Sequence, residues 1–298
     1  MENMKKKSSN FSIALTVLCV ILALYAVVFF LPILWALLTT FKEVKYYNLA
    51  TVRKNVDWML GLNHLTTDNF KLAFENFKIP VLDGSVHVTK MFWNSILYAG
   101  GCALVNTMVP CIMAYLVARY NYYLGKIVYG IVLVTMAIPI VGSLPSEIAM
   151  VENLNLMDSV LGLYVLKANF LGIYFLVFYA QFKSIPKDFT EAAEIDGASD
   201  MHIMLRIIFP IAVGTITTVI LLNFITYWND YQIPMIYWES RPVVAYGMYY
   251  FVRVTTGQMG STPIKLSAMV IVATPIIVLF LIFNKKVMSN MSIGGVKG

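Results

Sequence analysis

The sequence predicts an all-α membrane protein with six transmembrane helices and cytoplasmic N- and C-termini. Three observations predict it. Apolar residues make up 59% of the 298 residues and charged residues 13%, against about 25% charged in a soluble domain. Mean hydropathy is +0.73. The charges also leave long gaps, and about 20 apolar residues suffice to cross the hydrocarbon core as a helix. These values exclude a disordered chain, a coiled coil and an ordinary cytosolic enzyme. The chain is read as a single transmembrane domain over 1–298, with no room for a large soluble domain.

The elements follow from the charge-free runs. The first run, 8–41, comes after Lys5, Lys6 and Lys7. It is too long for a signal-peptide core and lacks a small-x-small cleavage site, so it predicts an uncleaved anchor over about 11–41. The segment 42–90 contains Trp58, Gly61, Pro80 and an Asp83-Gly84 pair, and predicts a small structured external loop with a hairpin. Further charge-free runs predict spans at about 91–118, 127–146, 207–229 and 266–284. A sixth span, 164–183, is apolar except for Lys167. That lysine is expected to snorkel its ammonium to the interface, with a functional buried lysine as the alternative. Residues 231–264 carry Pro234, Trp238, Pro242 and Gly257, and their Tyr/Trp content suits an interfacial position. Pro110, Pro139 and Pro275 fall within spans, where they kink or simply pack.

Orientation comes from the basic residues. With the N-terminus inside, Lys5, Lys6, Lys7, Arg119, Lys126, Lys183, Lys187, Arg206, Lys285, Lys286 and Lys297 are cytoplasmic, eleven of the 22 Lys and Arg. Seven of the outer eleven fall in the 42–90 loop, which counts against this orientation. The loop 143–158 has no Lys or Arg and favours it. The net charge of +6 reads as topology and anionic headgroups rather than nucleic acid. Cys19, Cys102 and Cys111 lie in apolar runs and imply neither disulfides nor a metal site. His64, His87 and His202 are far apart in sequence and read as surface residues.

One inner loop carries chemistry of its own. From Lys183 the chain reads KSIPKDFTEAAEIDGASDMHIMLR, then IIFP. Pro186 ends one helix. Asp188 is expected to cap the next, with Glu191 as its capping-box partner. Gly197 is expected to stop that helix in a left-handed conformation. Ser199 or Asp200 caps another, and Pro210 opens the next span. Small alanines leave one side open for a partner.

This loop resembles the EAA loop of ABC importer permeases, which reads Glu-Ala-Ala, three residues, Gly, nine residues, then Ile-x-Leu-Pro. Glu191-Ala192-Ala193, Gly197 and Ile207-Ile208-Phe209-Pro210 match it, with Phe209 in place of leucine. The chain is similar to the maltose-type second permease subunit of the carbohydrate subfamily. Leu65–Phe70, Phe92-Trp93-Asn94-Ser95, the stretch 145–162, Trp228-Asn229-Asp230 and the tail Gly294–Gly298 carry that similarity.

The resemblance implies an EAA coupling loop between helices 4 and 5, at 184–206. It implies a pore formed with a second permease subunit, two ATPase subunits carrying ATP and Mg, and an extracytoplasmic solute-binding protein that delivers a sugar or oligosaccharide. Membrane lipid surrounds the whole. Glu191, Ala192, Ala193, Asp196 and Gly197 then couple to the ATPase, and Gly295 and Lys297 lie near it. The chain has no G-x-x-x-x-G-K-[ST] phosphate loop, no H-E-x-x-H and no G-x-S-x-G, which predicts a transport subunit that is not itself an enzyme.

A sugar path needs polar groups and aromatic faces inside the spans. Asn106, Thr107, Asn223, Thr226 and Tyr227 supply them, and Asn223 and Tyr227 share a helix face. Helix–helix hydrogen bonding is the alternative use of such residues. An ion-coupled secondary transporter is the competing class, but no expected span has a central Asp or Glu. A permease for a polyol or glycerol-phosphate-type solute stays open beside a sugar permease.

Overall fold

A computed structural model describes residues 2–52, 64–82, 84–120, 122–138 and 142–291. Side chains are described within 15–49, 51, 64–82, 84–120, 122–138 and 142–282. Trp58, Gly61, Asp83, Pro139 and the tail with Gly295 and Lys297 lie outside the described residues.

The chain divides into two compact units, Met1–Phe77 with Phe251–Val272, and Lys78–Tyr250 with Ala273–Gly298. In the first unit, α1 (Glu2–Thr40) extends the first expected span toward the N-terminus. Most of its apolar side chains from Leu15 to Leu37 are exposed, as a lipid-facing helix requires. Two short helices follow, α2 (Val44–Val52) and α3 (Asp68–Asn76). Buried Asn69 ties them to the end of α1: its Nδ2 donates to the carbonyls of Thr40 at 2.7 Å and Lys42 at 2.8 Å. Thr40 ends α1 and Lys42 follows it, so no helical donor reaches either carbonyl. Ser267 Oγ also donates to the Thr40 carbonyl, at 3.3 Å.

The second unit opens with a two-residue-loop hairpin, β1 (Lys78–Val81) and β2 (Gly84–His87), with Val81 opposite Gly84. Gly84 has φ 120°, which suits the hairpin the sequence predicts at this site. The chain continues as α4 (Val88–Arg119), α5 (Tyr123–Ala137), α6 (Leu144–Asn153), α7 (Val160–Lys167), α8 (Ile173–Ser184) and α9 (Asp188–Ile195). After α10 (Asp200–His202) and a π-helical stretch Ile203–Ile208 come α11 (Phe209–Trp228), α12 (Gln232–Tyr237), α13 (Val244–Val254) and α14 (Thr262–Met291).

The centre of this unit is α4. Met91, Ser95, Tyr98, Cys102, Thr107, Cys111 and Ala114 are buried along it, at spacings of three to five that keep one stripe inward. That stripe meets α11, α8 and α7. At Gly101, any added Cβ would run into the Tyr164 ring. The absent side chain therefore lets α7 lie close enough for Tyr164 Oη to donate to the Leu97 carbonyl at 2.8 Å.

Among the described residues four helices are long and apolar enough to cross a membrane: Leu15–Thr40, Val88–Arg119, Asp200–Trp228 and Thr262–Ile282. The two remaining expected spans differ from their sequence reading. The third ends at Ala137 rather than near 146. Ile138 is extended (φ −94°, ψ 115°), the conformation imposed on a residue before proline. The fourth is two helices, Val160–Lys167 and Ile173–Ser184, rather than one. Gly172 between them has φ 117°, a left-handed conformation that interrupts a helix and that hydropathy alone does not reveal. Tyr237 and Trp238 are buried at 2% and 1%, so they pack inside the protein. Pro110 and Pro275 lie inside α4 and α14.

Candidate functional site

Helix α9 has eight residues, too short to be stable alone. Its stability comes from its ends and its inner face. The expected cap is displaced by one residue: Lys187, not Asp188, holds the N-cap position, and it makes no side-chain cap bond. Asp188 and Glu191 instead lie in the first turn, where carboxylates favour the positive end of the helix dipole. The other end forms as expected. Gly197 has φ 76°. Its N–H donates to the Glu194 carbonyl at 3.0 Å, and the Ala198 N–H donates to Ala193 at 3.0 Å. This pair of bonds is a Schellman motif. Ser199 then caps the next helix, accepting from the His202 N–H at 3.4 Å. The π-helical stretch ends two residues before Pro210, whose ring denies the Arg206 carbonyl its usual donor and whose bulk the wider turn absorbs.

The two alanines of the signature divide. Ala193 is buried and joins the cluster of Tyr115, Phe178, Phe182, Ile185, Ile203 and Phe209. The rings of Tyr115, Phe182 and Phe209 contact one another at centroid distances of 5.6–6.1 Å. Glu191, Ala192, Asp196 and Gly197 are exposed. Ile195 is 86% exposed and Phe189 49% exposed, large apolar surfaces left open among the described residues.

Arg119, at the last turn of α4, was not singled out by sequence. Its Nη1 donates to the Ile185 carbonyl at 2.8 Å, and its Nη2 donates to the Pro186 carbonyl at 3.4 Å and to Thr190 Oγ1. One planar guanidinium thus fastens α4 to the start of α9, a geometry lysine cannot reproduce. Next to it, the Tyr120 hydroxyl pKa is raised by burial, by its bond with Tyr115 and by its bond with Asp200. Nothing in the sequence linked residues 119 and 120 to a loop more than 60 positions away.

The expected path residues come together in the bundle. Asn106 Nδ2 donates to Asn223 Oδ1 at 3.2 Å, and Asn223 Nδ2 donates to Thr107 Oγ1 at 2.9 Å. These bonds join α4 to α11. Tyr227, one turn beyond Asn223, packs edge-on to Tyr98 at 5.8 Å. Tyr98 Oη donates to Asp230 Oδ2 at 2.7 Å. Asp230 Oδ1 also accepts from the N–H groups of Gln232 at 3.1 Å and Ile233 at 3.2 Å, capping α12. The Lys167 ammonium lies 5.9 Å from the centre of the Tyr227 ring. Its partner is thus an aromatic face of the same protein, a use the snorkelling expectation did not include. Thr226 is exposed and bonds only its own helix, at the Leu222 carbonyl.

Near the N-terminal end of α4, away from α9, a cavity of about 680 Å³ lies between the hairpin and the 236–246 stretch. Lys90, Asp158, Glu239 and Arg241 line it. Its wall is held by Tyr237 Oη donating to Glu147 at 2.8 Å and the Ser240 N–H donating to Asp158 at 3.1 Å. Among the described residues no cluster of His, Cys, Asp and Glu could hold a metal ion.

Residues 106–292, more than half of the chain, match the family described as binding-protein-dependent transport system inner membrane component. The chain is 24% identical over 281 residues to the diacetylchitobiose uptake system permease protein of Streptomyces coelicolor, covering 92% of this chain and 86% of that one. It is 25% identical over 240 residues to the arabinooligosaccharides transport system permease protein of Bacillus subtilis, covering 80% and 84%. Its fold matches a chain in the crystal structure of a bacterial ABC transporter that imports the acidic polysaccharide alginate, with TM-score 0.71, 21% identity and coverage of 91% and 95%.

Proposed function

The chain belongs to the binding-protein-dependent transport system inner membrane component family, and we propose from that premise that it is the permease subunit of an ABC importer for a sugar or oligosaccharide. Saccharides appear in the names of relatives matched over most of the chain, among them diacetylchitobiose and arabinooligosaccharides, whereas the sn-glycerol-3-phosphate permease of Shigella flexneri matches over 49% of it, which supports a short saccharide. A second permease completes the pore, an extracytoplasmic binding protein delivers the sugar, and two ATPase subunits supply ATP and Mg. The chain crosses the bilayer six times with both termini inside. In this reading α5 is the third crossing and the broken pair α7–α8 the fourth.

The observation that carries the reading is the construction of α9. A free eight-residue helix would fray, yet this one is closed by the Gly197 motif, anchored through Ala193 and clamped by Arg119. Its outward face presents Glu191, Ala192 and Ile195. A rigid, exposed, short helix with an apolar knob and an acid suits a cleft on an ATPase. Ala193 then serves as the inward anchor, with Asp196 and Gly197 closing the turn. Gly295 and Lys297 reach the same ATPase from the tail.

The mechanism follows from which groups move together. ATP-driven closure displaces α9. The Arg119 fork and the Tyr115–Phe182–Phe209 rings transmit that displacement to the ends of α4, α8 and α11. Higher in the same helices, Asn106, Asn223 and Tyr227 lie on the α4–α11 seam, where a relative shift of the two helices exposes or withdraws polar and aromatic faces toward the sugar.

Co-purification from native membranes tests this. Wild type should bring down an ATPase and a second permease. Glu191→Ala combined with Gly197→Val should lose the ATPase and keep the permease. A chain that purifies alone and moves solute without ATP would sink the reading.

A further inference from the structure

At the same end of the bundle as α9 lies a second cavity, of about 410 Å³. It is walled by the end of α4, the start of α5 and the end of α8. Arg119, Lys126, Lys183 and Lys187 line it, and among the described residues no lining residue is acidic. Arg119 is engaged with the α9 loop. The three lysines are exposed, so they bring cationic charge that nothing in the cavity wall neutralises.

Tyrosines supply the rest of the wall. Tyr129 and Tyr179 pack at a ring distance of 4.7 Å, and Lys183 Nζ donates to Tyr179 Oη at 3.1 Å. Tyr120 and Tyr122 complete the aromatic side. Phenol hydroxyls beside ammonium groups make a donor-rich, acceptor-poor pocket, the complement of a phosphate.

Two features select the source of that phosphate. The cavity lies where the long apolar helix α4 ends, so it is at the level of the lipid headgroups. Around the helix from the lining residues Gly125, Lys126 and Tyr129, the outward face of α5 carries exposed apolar side chains: Leu124 is 65% exposed, Ile127 42% and Ile131 45%. This row follows the helix away from the basic rim, as an acyl chain would below its headgroup. A soluble anion needs the lysines and has no use for the apolar row.

We propose that this cavity binds the phosphate headgroup of an anionic glycerophospholipid, with Lys126, Lys183 and Lys187 as its cationic ligands and the outer face of α5 as the seat of an acyl chain. Lys187 is also the N-cap residue of α9. A bound lipid therefore fixes the entry to the coupling helix from the membrane side, while Arg119 fixes it from the bundle side. The inference rests on the chain's place in a membrane and not on its pairing with an ATPase.

The test uses the assembled transporter, delipidated and exposed to vesicles of phosphatidylcholine alone or in equal mixture with phosphatidylglycerol. Native mass spectrometry counts the lipid retained, and the same spectra report whether the ATPase is present. Wild type should retain phosphatidylglycerol over phosphatidylcholine. Lys126→Gln, Lys183→Gln and Lys187→Gln should each weaken retention by about fivefold, the effect of one cation near a charged lipid. The triple Lys→Arg variant should retain the lipid, and Lys71→Gln, on α3, should behave as wild type. Equal retention in wild type and the triple Lys→Gln variant would overturn the proposal. So would displacement of the lipid by inorganic phosphate, which would assign the site to a soluble anion. Loss of the ATPase from the wild-type spectra would instead count against the importer reading and leave the lipid counts standing.

Discussion

The coupling end of the bundle and the polar seam higher in it are built by opposite means. At the α9 end the polar bonds join an arginine to two backbone carbonyls and one hydroxyl, and a buried aromatic cluster backs them. On the seam the bonds join side chain to side chain, through Asn106, Asn223, Thr107, Tyr98 and Asp230. Backbone carbonyls cannot rotate away, so the first arrangement transmits displacement as a stiff contact. Amide and hydroxyl side chains can exchange partners at small cost, so the second can rearrange around a solute. A transporter driven from one end needs stiffness there and exchange in the middle.

The largest expected effect is at the clamp. Arg119→Met leaves two carbonyls and a hydroxyl without their donor and should destabilise the coupling end by about 3 kcal/mol. Thermal unfolding of the assembled transporter would show it, and uptake should fall by at least tenfold (about 1.4 kcal/mol of lost coupling). Arg119→Lys should restore little, because an ammonium cannot fork. Next is Gly197→Val, which forces a β-branched residue to φ 76° at a cost of about 2 kcal/mol. It should weaken ATPase co-purification while leaving the second permease bound.

On the seam the effects should be smaller. Tyr98→Phe removes a bond to a carboxylate that still caps α12 and should cost about 1.5 kcal/mol. Measured as stability and as sugar affinity, it should move affinity more. Thr107→Val leaves Asn223 Nδ2 without an acceptor, for about 0.6 kcal/mol, the mean for interhelical polar bonds in membranes. If Thr107→Val destabilised the protein as much as Arg119→Met, the contrast between stiff end and adaptable seam would be wrong.

The same contrast decides what the sequence could show. The coupling loop is local: Glu191, Gly197 and Ser199 fall within nine residues, and each has a conformational signature. The left-handed glycine and the serine cap both formed as expected. The cap at Asp188 did not, because Lys187 already lies in helical geometry and moves the helix start by one residue. Arg119 was illegible, since two of its three partners are backbone carbonyls 66 and 67 positions later, which leave no mark in composition, and the third, Thr190, is 71 positions away. The seam was half legible. Polar residues inside apolar runs pointed to Asn106, Asn223 and Tyr227, but not to Tyr98, whose partner Asp230 is 132 residues away. Hydropathy found the long helices and missed the break at Gly172, because a glycine turn within an apolar run changes no charge.

The most direct test of a rigid coupling helix is sugar-stimulated ATP hydrolysis by the reconstituted transporter carrying Arg119→Met. That variant leaves Glu191, Ala192 and Ile195, the proposed docking residues, unchanged, so the ATPase should still co-purify. If the clamp carries displacement into the bundle, basal hydrolysis persists while sugar stimulation and uptake are lost together. Stimulation and uptake at wild-type levels without the guanidinium would contradict the central claim.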